Sequence, residues 1–123
     1  MALIYQAYYD AHGMWPDYAT AKALLMSTST DLDYDTFTQG AGSVNADRGT
    51  AVASGKYGVY VSDSTWQPGD YRGNDYPGFA HLATPGETYT TSFTVHNPTT
   101  STLSVQLNDV ENDESRRRIS TTL

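Results

Sequence analysis

Apolar residues at the start of the chain recur at the spacing of an α-helix. Gly13 follows this stretch at the position where a glycine often ends a helix in the left-handed conformation. The spacing therefore predicts a first helix that ends near His12. Its apolar face comprises Leu3, Ile4, Ala7, Tyr8 and Ala11.

A second helix is predicted to begin with Pro16 in its first turn, because the fixed φ of proline suits that position, and Asp17 stands beside it. We expect it to end near Ser29. Its apolar positions are Tyr18, Ala21, Leu24, Leu25 and, at its end, Thr28.

The residues that follow the second helix are polar and rich in glycine. Thr30 to Thr38 is predicted to be an acidic connection. The glycines of Gly40 to Ala46 suit a tight turn or a close approach of two backbones. A short third helix is predicted over Asp47 to Ala53.

After about residue 53 the pattern changes to an alternation of apolar and polar residues, which is typical of strands. Three such runs are Tyr57 to Val61, Tyr89 to Val95 and Leu103 to Leu107. A short polar link joins the last two, so we expect them to pair in antiparallel fashion, and such a pair needs further strands or a helix to be stable. The predicted class is α+β, with two or three helices followed by antiparallel strands of a partial β-sandwich.

Length and charge narrow the function classes. The chain has 123 residues, enough for one domain, and 7 basic against 14 acidic residues give a net charge of −7. Nucleic acid is therefore not an expected partner. The absence of cysteine excludes disulfides and cysteine-ligated zinc. No apolar run approaches the roughly 20 residues of a membrane span, so no membrane partner is expected.

Three histidines are candidates for a general base, which nucleophilic chemistry requires. They are His12, His81 and His96. His12 stands at a predicted helix C-terminus, where the helix dipole favours a cation. His81 is interpreted as a buried, hydrogen-bonded side chain and His96 as part of a strand end. The sequence therefore predicts no catalytic residue and no cofactor.

Two acidic stretches are weighed as calcium sites. Asp31, Asp33 and Asp35 alternate along a predicted loop and offer the oxygen donors that calcium accepts. The EF-hand pattern fails, because no glycine stands at the sixth position and no glutamate at the twelfth. We interpret this loop, and the stretch Asn108 to Glu114, as solvated acidic segments, with calcium as the alternative.

Tyrosine occurs 10 times. Aromatic residues in glycine-rich loops can line a groove for carbohydrate or peptide. We favour the interpretation that they fill a small core with their hydroxyls in water. The aromatic residues in the glycine-rich stretch are Tyr57, Tyr60, Trp66, Tyr71 and Tyr76.

Five segments of the first half stand in a distinctive order and spacing, namely Ala2 to Gln6, Trp15-Pro16, Ala21 to Met26, Ser29 to Leu32 and Thr38 to Ala46. Their most specific part is a helix begun by a proline and followed by Gly-x-Gly-x-Val-Asn-Ala. With these segments, residues 2 to 53 resemble the C-terminal part of the catalytic domain of subtilisin-like serine proteases. Further along, Gly58 to Val61, Pro68 to Tyr71 and Pro85 to Glu87 are similar to linkers and fibronectin-type sandwich modules of larger members.

The resemblance implies that the helices belong to the end of a subtilisin-like α/β domain. The family's Asp, His and Ser come earlier in that domain, and their flanking motifs are missing here, as is the asparagine that stabilises the oxyanion. No catalytic role is carried over to any residue. We expect a C-terminal fragment of a serine endopeptidase that is inactive alone. Its partner would be the remainder of the catalytic domain, in cis or as a separate chain, and a peptide substrate would bind only to the parent.

The resemblance also implies an extracellular or cell-surface location. The predicted divisions are residues 1–53, the C-terminal helical segment; 54–84, a linker rich in Gly and Tyr with a short strand; 85–114, the start of a β-sandwich module; and 115–123, a disordered tail that includes Arg116 to Arg118. Without the rest of the catalytic domain, four apolar side chains are expected to need a partner surface, which predicts self-association. They are Leu3, Ile4, Leu24 and Leu25.

The alternative is a non-catalytic, acidic extracellular module. It would bind or self-assemble through exposed strand edges such as Tyr89 to Val95.

Overall fold

The chain has an α+β fold in the computed structural model, which describes residues 1–34, 36–62, 84–88, 90 and 92–107. Helices come first and are followed by a two-stranded antiparallel sheet, which confirms the coarse class predicted from the sequence. The elements of these ranges are helices α1 (Ala2–His12), α2 (Tyr18–Ser27), α3 (Thr36–Gln39) and α4 (Ala46–Ala53) and strands β1 (Tyr60–Ser62) and β2 (Thr94–His96).

Helix α1 ends as the sequence predicts. Gly13 adopts a left-handed conformation with φ 72°, and its N–H donates to the carbonyl oxygen of Tyr9 at 2.8 Å. The predicted apolar face is only partly buried, because Ile4 is 2% exposed while Leu3 is 62% exposed. Leu3 therefore lies at the edge of the packed face.

Helix α2 begins at Tyr18, two residues after Pro16, with which it was predicted to start. Asp17 is its N-cap and accepts a hydrogen bond from the N–H of Thr20 at 2.7 Å, so Pro16 precedes the cap instead of occupying the first turn. Tyr18 is also wrongly predicted to face inward, since it is largely exposed. At the other end, the helix ends at Ser27, close to the predicted Ser29, and the buried C-cap Thr28 donates its hydroxyl proton to the carbonyl oxygen of Leu24 at 2.7 Å.

The segment between α2 and α4 contains the predicted close approach. Thr30 and Ser43 form an isolated antiparallel bridge, with both N–H···O distances at 2.8 Å. Gly42 makes the bridge sterically possible, because a Cβ added there would overlap the carbonyl oxygen of Thr30. Asn45 then caps α4 by accepting from the N–H of Arg48 at 2.9 Å. The short helix α3 was not predicted.

The sheet pairs different segments from those predicted. Tyr60 lies opposite His96, and Ser62 lies opposite Thr94. The predicted pairing of Tyr89–Val95 with Leu103–Leu107 is wrong, because β2 pairs with β1 and Leu103 to Leu107 forms no strand. The apolar side chains of that last run are exposed, so no buried face stabilises it as a strand.

The core lies where the helices meet. It consists of Ile4, Leu24, Val52 and Ala53, with Tyr60 and Leu25 among the residues packed around it. Ile4 and Leu24 therefore bury each other within the chain, and the expectation that they need an external partner surface is wrong. The reason is that α4 packs against both α1 and α2.

A glycine permits this close packing. A Cβ at Gly49 would stand 3.1 Å from Cδ1 of Ile4 and 3.2 Å from Oγ1 of Thr28.

None of the helices in the described ranges is long and apolar enough to cross a bilayer.

Candidate functional site: a serine and a histidine on the sheet

The sheet brings a serine hydroxyl and an imidazole together. Oγ of Ser62, at the end of β1, lies 2.8 Å from Nε2 of His96, at the end of β2. Ser62 pairs with Thr94 in the register, so His96 reaches Ser62 along the diagonal of one sheet face. The hydrogen bond is partly buried.

An aromatic ring holds the imidazole. Tyr60 lies directly opposite His96, and their rings stack with centroids 4.7 Å apart and planes inclined by 10°. Tyr60 also packs against the core. Burial raises the pKa of the Tyr60 phenol, with smaller contributions from Tyr8 and Asp17, so the ring is neutral over the ordinary pH range.

Helix α2 holds strand β1. The hydroxyl of Ser27 accepts from the N–H of Val61 at 2.9 Å and donates to the carbonyl oxygen of the same residue at 3.2 Å. Val61 immediately precedes Ser62, so the backbone at the serine is fixed to the last residue of the helix.

His12 makes a contact between two helices, and the interpretation of it as a cation favoured by the helix dipole stays a prediction. Its Nε2 lies 3.1 Å from the carbonyl oxygen of Ala53, and since a carbonyl can only accept, Nε2 donates. The ring also stands 4.2 Å from that of Tyr8. His12 thus joins the C-terminal ends of α1 and α4, where a donor offsets the unpaired carbonyls.

The acidic loop for which calcium is the alternative interpretation is organised by an amide. Nε2 of Gln39 donates to Oδ1 of Asp31 and to the carbonyl oxygen of Tyr34, both at 2.8 Å, and Oε1 of Gln39 accepts from the N–H of Leu32. No group of three or more potential metal-binding side chains occurs in the described ranges. Asp35 lies outside them, so the solvated loop stays the prediction for Asp31, Asp33 and Asp35, and calcium stays the untested alternative.

Helix α1 carries aromatic rings on the side away from the core. Trp15 stacks on Tyr9 with a centroid distance of 4.4 Å, and Tyr5 lies 6.5 Å from Trp15. Trp15 is 58% exposed and Tyr9 is 40% exposed. We call Tyr5, Tyr9 and Trp15 the aromatic patch.

A polar cleft of about 480 Å³ lies between α1 and α4. Asp10, Asp47 and Lys56 line it together with small side chains. Its opposite charges can compensate one another, and it has no feature that selects a ligand.

Several sequence predictions fall outside the described residues. They concern His81, Trp66, Tyr71, Tyr76, Asn108 to Glu114 and Arg116 to Leu123.

The contact between Ser62 and His96 was not predicted from the sequence, because the two residues are 34 positions apart and only the correct strand pairing brings them together.

The chain matches no protein-family model, no curated protein and no solved structure. The resemblance to subtilisin-like proteases therefore rests on the quoted residues and stays a prediction.

Proposed function

We propose that this chain is a C-terminal segment of an extracellular or cell-surface subtilisin-like serine endopeptidase, in which it serves as scaffold. Peptide-bond hydrolysis would belong to the parent, through an Asp, His and Ser that precede this segment. The observation that supports the proposal concerns Thr38 to Ala46, one of the segments on which the resemblance rests, whose residues organise the connection between α2 and α4.

Three residues of that motif have structural roles. Gln39 organises the loop from Asp31 to Tyr34, Gly42 allows the backbone bridge to Thr30, and Asn45 caps α4. These contacts fix the connection between α2 and α4, and α4 packs against α1. A segment whose characteristic residues serve packing is what a scaffold role requires.

The aromatic patch supports a partner on the far side of α1. Partly exposed Trp and Tyr side chains are enriched at protein interfaces, because their large rings contribute apolar area and keep a polar tip. In the proposed parent this partner is the remainder of the catalytic domain, in cis or as a separate chain.

The test is reconstitution. The coding sequence that precedes this chain in its gene, or in the adjacent gene, is expressed and mixed with the purified chain, and hydrolysis of a protein substrate is measured with and without a serine-directed phosphonate. We expect no proteolysis by the chain alone and phosphonate-sensitive proteolysis by the mixture. Proteolysis by the pure chain, or a preceding sequence without the three catalytic motifs, would overturn the proposal.

Matched variants locate the contact. Trp15→Ala and Tyr9→Ala are expected to weaken reconstitution at least tenfold, as for aromatic residues at interface hot spots. Tyr34→Ala is the control, because Tyr34 has a similar exposure of 42% on the loop after α2. Equal effects of all three variants would contradict the placement of the partner on the aromatic patch.

The second candidate is a non-catalytic module that self-assembles through strand edges. It is favoured by the exposed apolar side chains of Val95 and Val105 and by the pairing of β2 on one side only within the described residues. Sedimentation of the pure chain tests it, with Val95→Lys expected to reduce association. Val44→Lys is the control at an exposed site outside the sheet. Equal masses in solution for the two variants and the unsubstituted chain would contradict this candidate.

A further inference from the structure

The Ser62 hydroxyl and the His96 imidazole have the relative placement of a nucleophile and its base. An activated serine requires a base within about 2.6–3.2 Å, and the base requires a further group that orients it. The Oγ to Nε2 distance of 2.8 Å meets the first condition. No role in the proposed scaffold uses this pair.

The stacked Tyr60 ring meets the second condition. A planar group against the imidazole face resists rotation of the ring about its χ2 angle, which would move Nε2 away from the hydroxyl. Tyr60 is itself fixed, because it packs against the core and lies opposite His96 in the strand register. The relative position of Ser62 and His96 is therefore set before any ligand binds. The core fixes Tyr60, and the two hydrogen bonds that clamp Val61 to Ser27 fix the backbone beside Ser62.

We propose that Ser62 is an activated nucleophile, with His96 as its base, which forms covalent esters with activated acyl and phosphonyl electrophiles. With an aryl ester, Oγ bonds to the carbonyl carbon, its proton passes to Nε2, and the bond to the aryl oxygen breaks as the phenol leaves with that proton. Water then attacks the acyl-serine and gives a proton to Nε2. The bond between the acyl carbon and Oγ breaks, the acid is released, and Oγ takes that proton from Nε2, which restores the hydroxyl. With a fluorophosphonate, Oγ bonds to phosphorus, its proton passes to Nε2, the P–F bond breaks as fluoride leaves, and the proton on Nε2 then passes to water.

The substrate class follows from what the pair supplies. A hydroxyl and a base generate the attacking oxygen, and leaving groups that depart readily require the least further assistance. Aryl esters and fluorophosphonates meet this requirement, whereas the amine of a peptide bond does not. The activity is therefore independent of the proteolysis proposed for the parent.

The test is labelling of the intact chain with a tagged fluorophosphonate, followed by peptide mapping. We expect the label on Ser62, its loss in Ser62→Ala, and a rate about 10²-fold lower in His96→Gln, the lower range for loss of a general base. Ser29→Ala is the matched control, because the Ser29 hydroxyl, like many helix-end serines, donates to a carbonyl oxygen of helix α2, that of Leu25, at 2.9 Å. Circular dichroism of each variant checks that the fold is retained.

A second measurement needs no variant. If Oγ donates to Nε2, the neutral imidazole of His96 carries its proton on Nδ1, which ¹⁵N chemical shifts of the histidine ring report. An Nδ1–H tautomer is the expected result. An Nε2–H tautomer or the absence of a label on Ser62 would overturn the proposal. Equal labelling rates in the unsubstituted chain and a folded His96→Gln variant would also overturn it.

Discussion

Replacing Gly42 with alanine tests whether the bridge between Thr30 and Ser43 holds the connection from α2 to α4. Gly42 has φ 106°, a conformation that residues with a side chain rarely adopt. The new Cβ would also overlap the carbonyl oxygen of Thr30 and stand 2.9 Å from its carbonyl carbon. The backbones must therefore separate, which breaks the two hydrogen bonds of the bridge.

The cost is worked from three contributions. The unfavourable φ costs about 1–3 kcal/mol. Loss of two backbone hydrogen bonds costs about 0.5–1.5 kcal/mol each. Alanine has less conformational freedom than glycine in the unfolded chain, and this offsets the loss of stability by roughly 0.4–1 kcal/mol. The expected decrease in the free energy of unfolding is about 3 kcal/mol.

Gly13→Ala is the matched control. Gly13 also has a positive φ, of 72°, but a Cβ there would meet no atom within 4 Å. Only the backbone strain remains, which costs about 1–2 kcal/mol before the same entropic return. The expected decrease is about 1 kcal/mol.

Urea denaturation followed by circular dichroism measures both free energies. Hydrogen exchange of the Thr30 and Ser43 amides adds a local readout and should accelerate only in Gly42→Ala. If the two variants lose the same stability, the close approach at Gly42 contributes nothing beyond its φ, and the reasoning is refuted.

Three further predictions concern the core and two titrating groups. Leu24→Ala is expected to lower the free energy of unfolding by about 3 kcal/mol, whereas Leu3→Ala, at an exposed site, should change it by less than about 0.5 kcal/mol; similar urea midpoints for the two would contradict the assigned core. The Thr20 backbone N–H, and then its side chain, hold the pKa of Asp17 below its ordinary 3.8, so the cap stabilises the fold above that pH and the effect is lost as the pH falls through the folded pKa. Asp17→Asn should flatten the acid limb of a series of thermal melts, and an unchanged limb would contradict this assignment. Burial raises the pKa of Tyr60, so its contribution to stability is present below about pH 10 and is lost as the pH rises through the folded pKa. In an ultraviolet titration, Tyr60→Phe should remove a late-titrating phenol, and loss of an early one instead would contradict the shift.

Local sequence signals predicted the parts of the fold that local interactions determine. The end of α1 at Gly13 follows from the need for a left-handed residue there, and the close approach at Gly42 follows from the same property. The entry to α2 combines two adjacent signals, Pro16 and Asp17. The hydrogen bond of Asp17 to the Thr20 N–H decides between them, and this bond was not considered in the sequence analysis.

Strand partners and the candidate site depend on distant contacts. Alternation marks which residues share a face of a strand, but it does not specify which strand lies alongside. Tyr60 and Ser62 meet His96 only because β1, held by Ser27, pairs with β2. The contact between Ser62 and His96 is therefore a property of topology that no local motif carries.

The clamp of Ser27 on Val61 also limits how copies of this chain can join. One hydroxyl occupies both the N–H and the carbonyl oxygen of the central residue of β1, on the edge that does not face β2. Within the described residues, an incoming strand can therefore add only beside β2. Two copies that meet there by a twofold axis cover each other's open edge, and the assembly ends with a dimer instead of extending into a fibre.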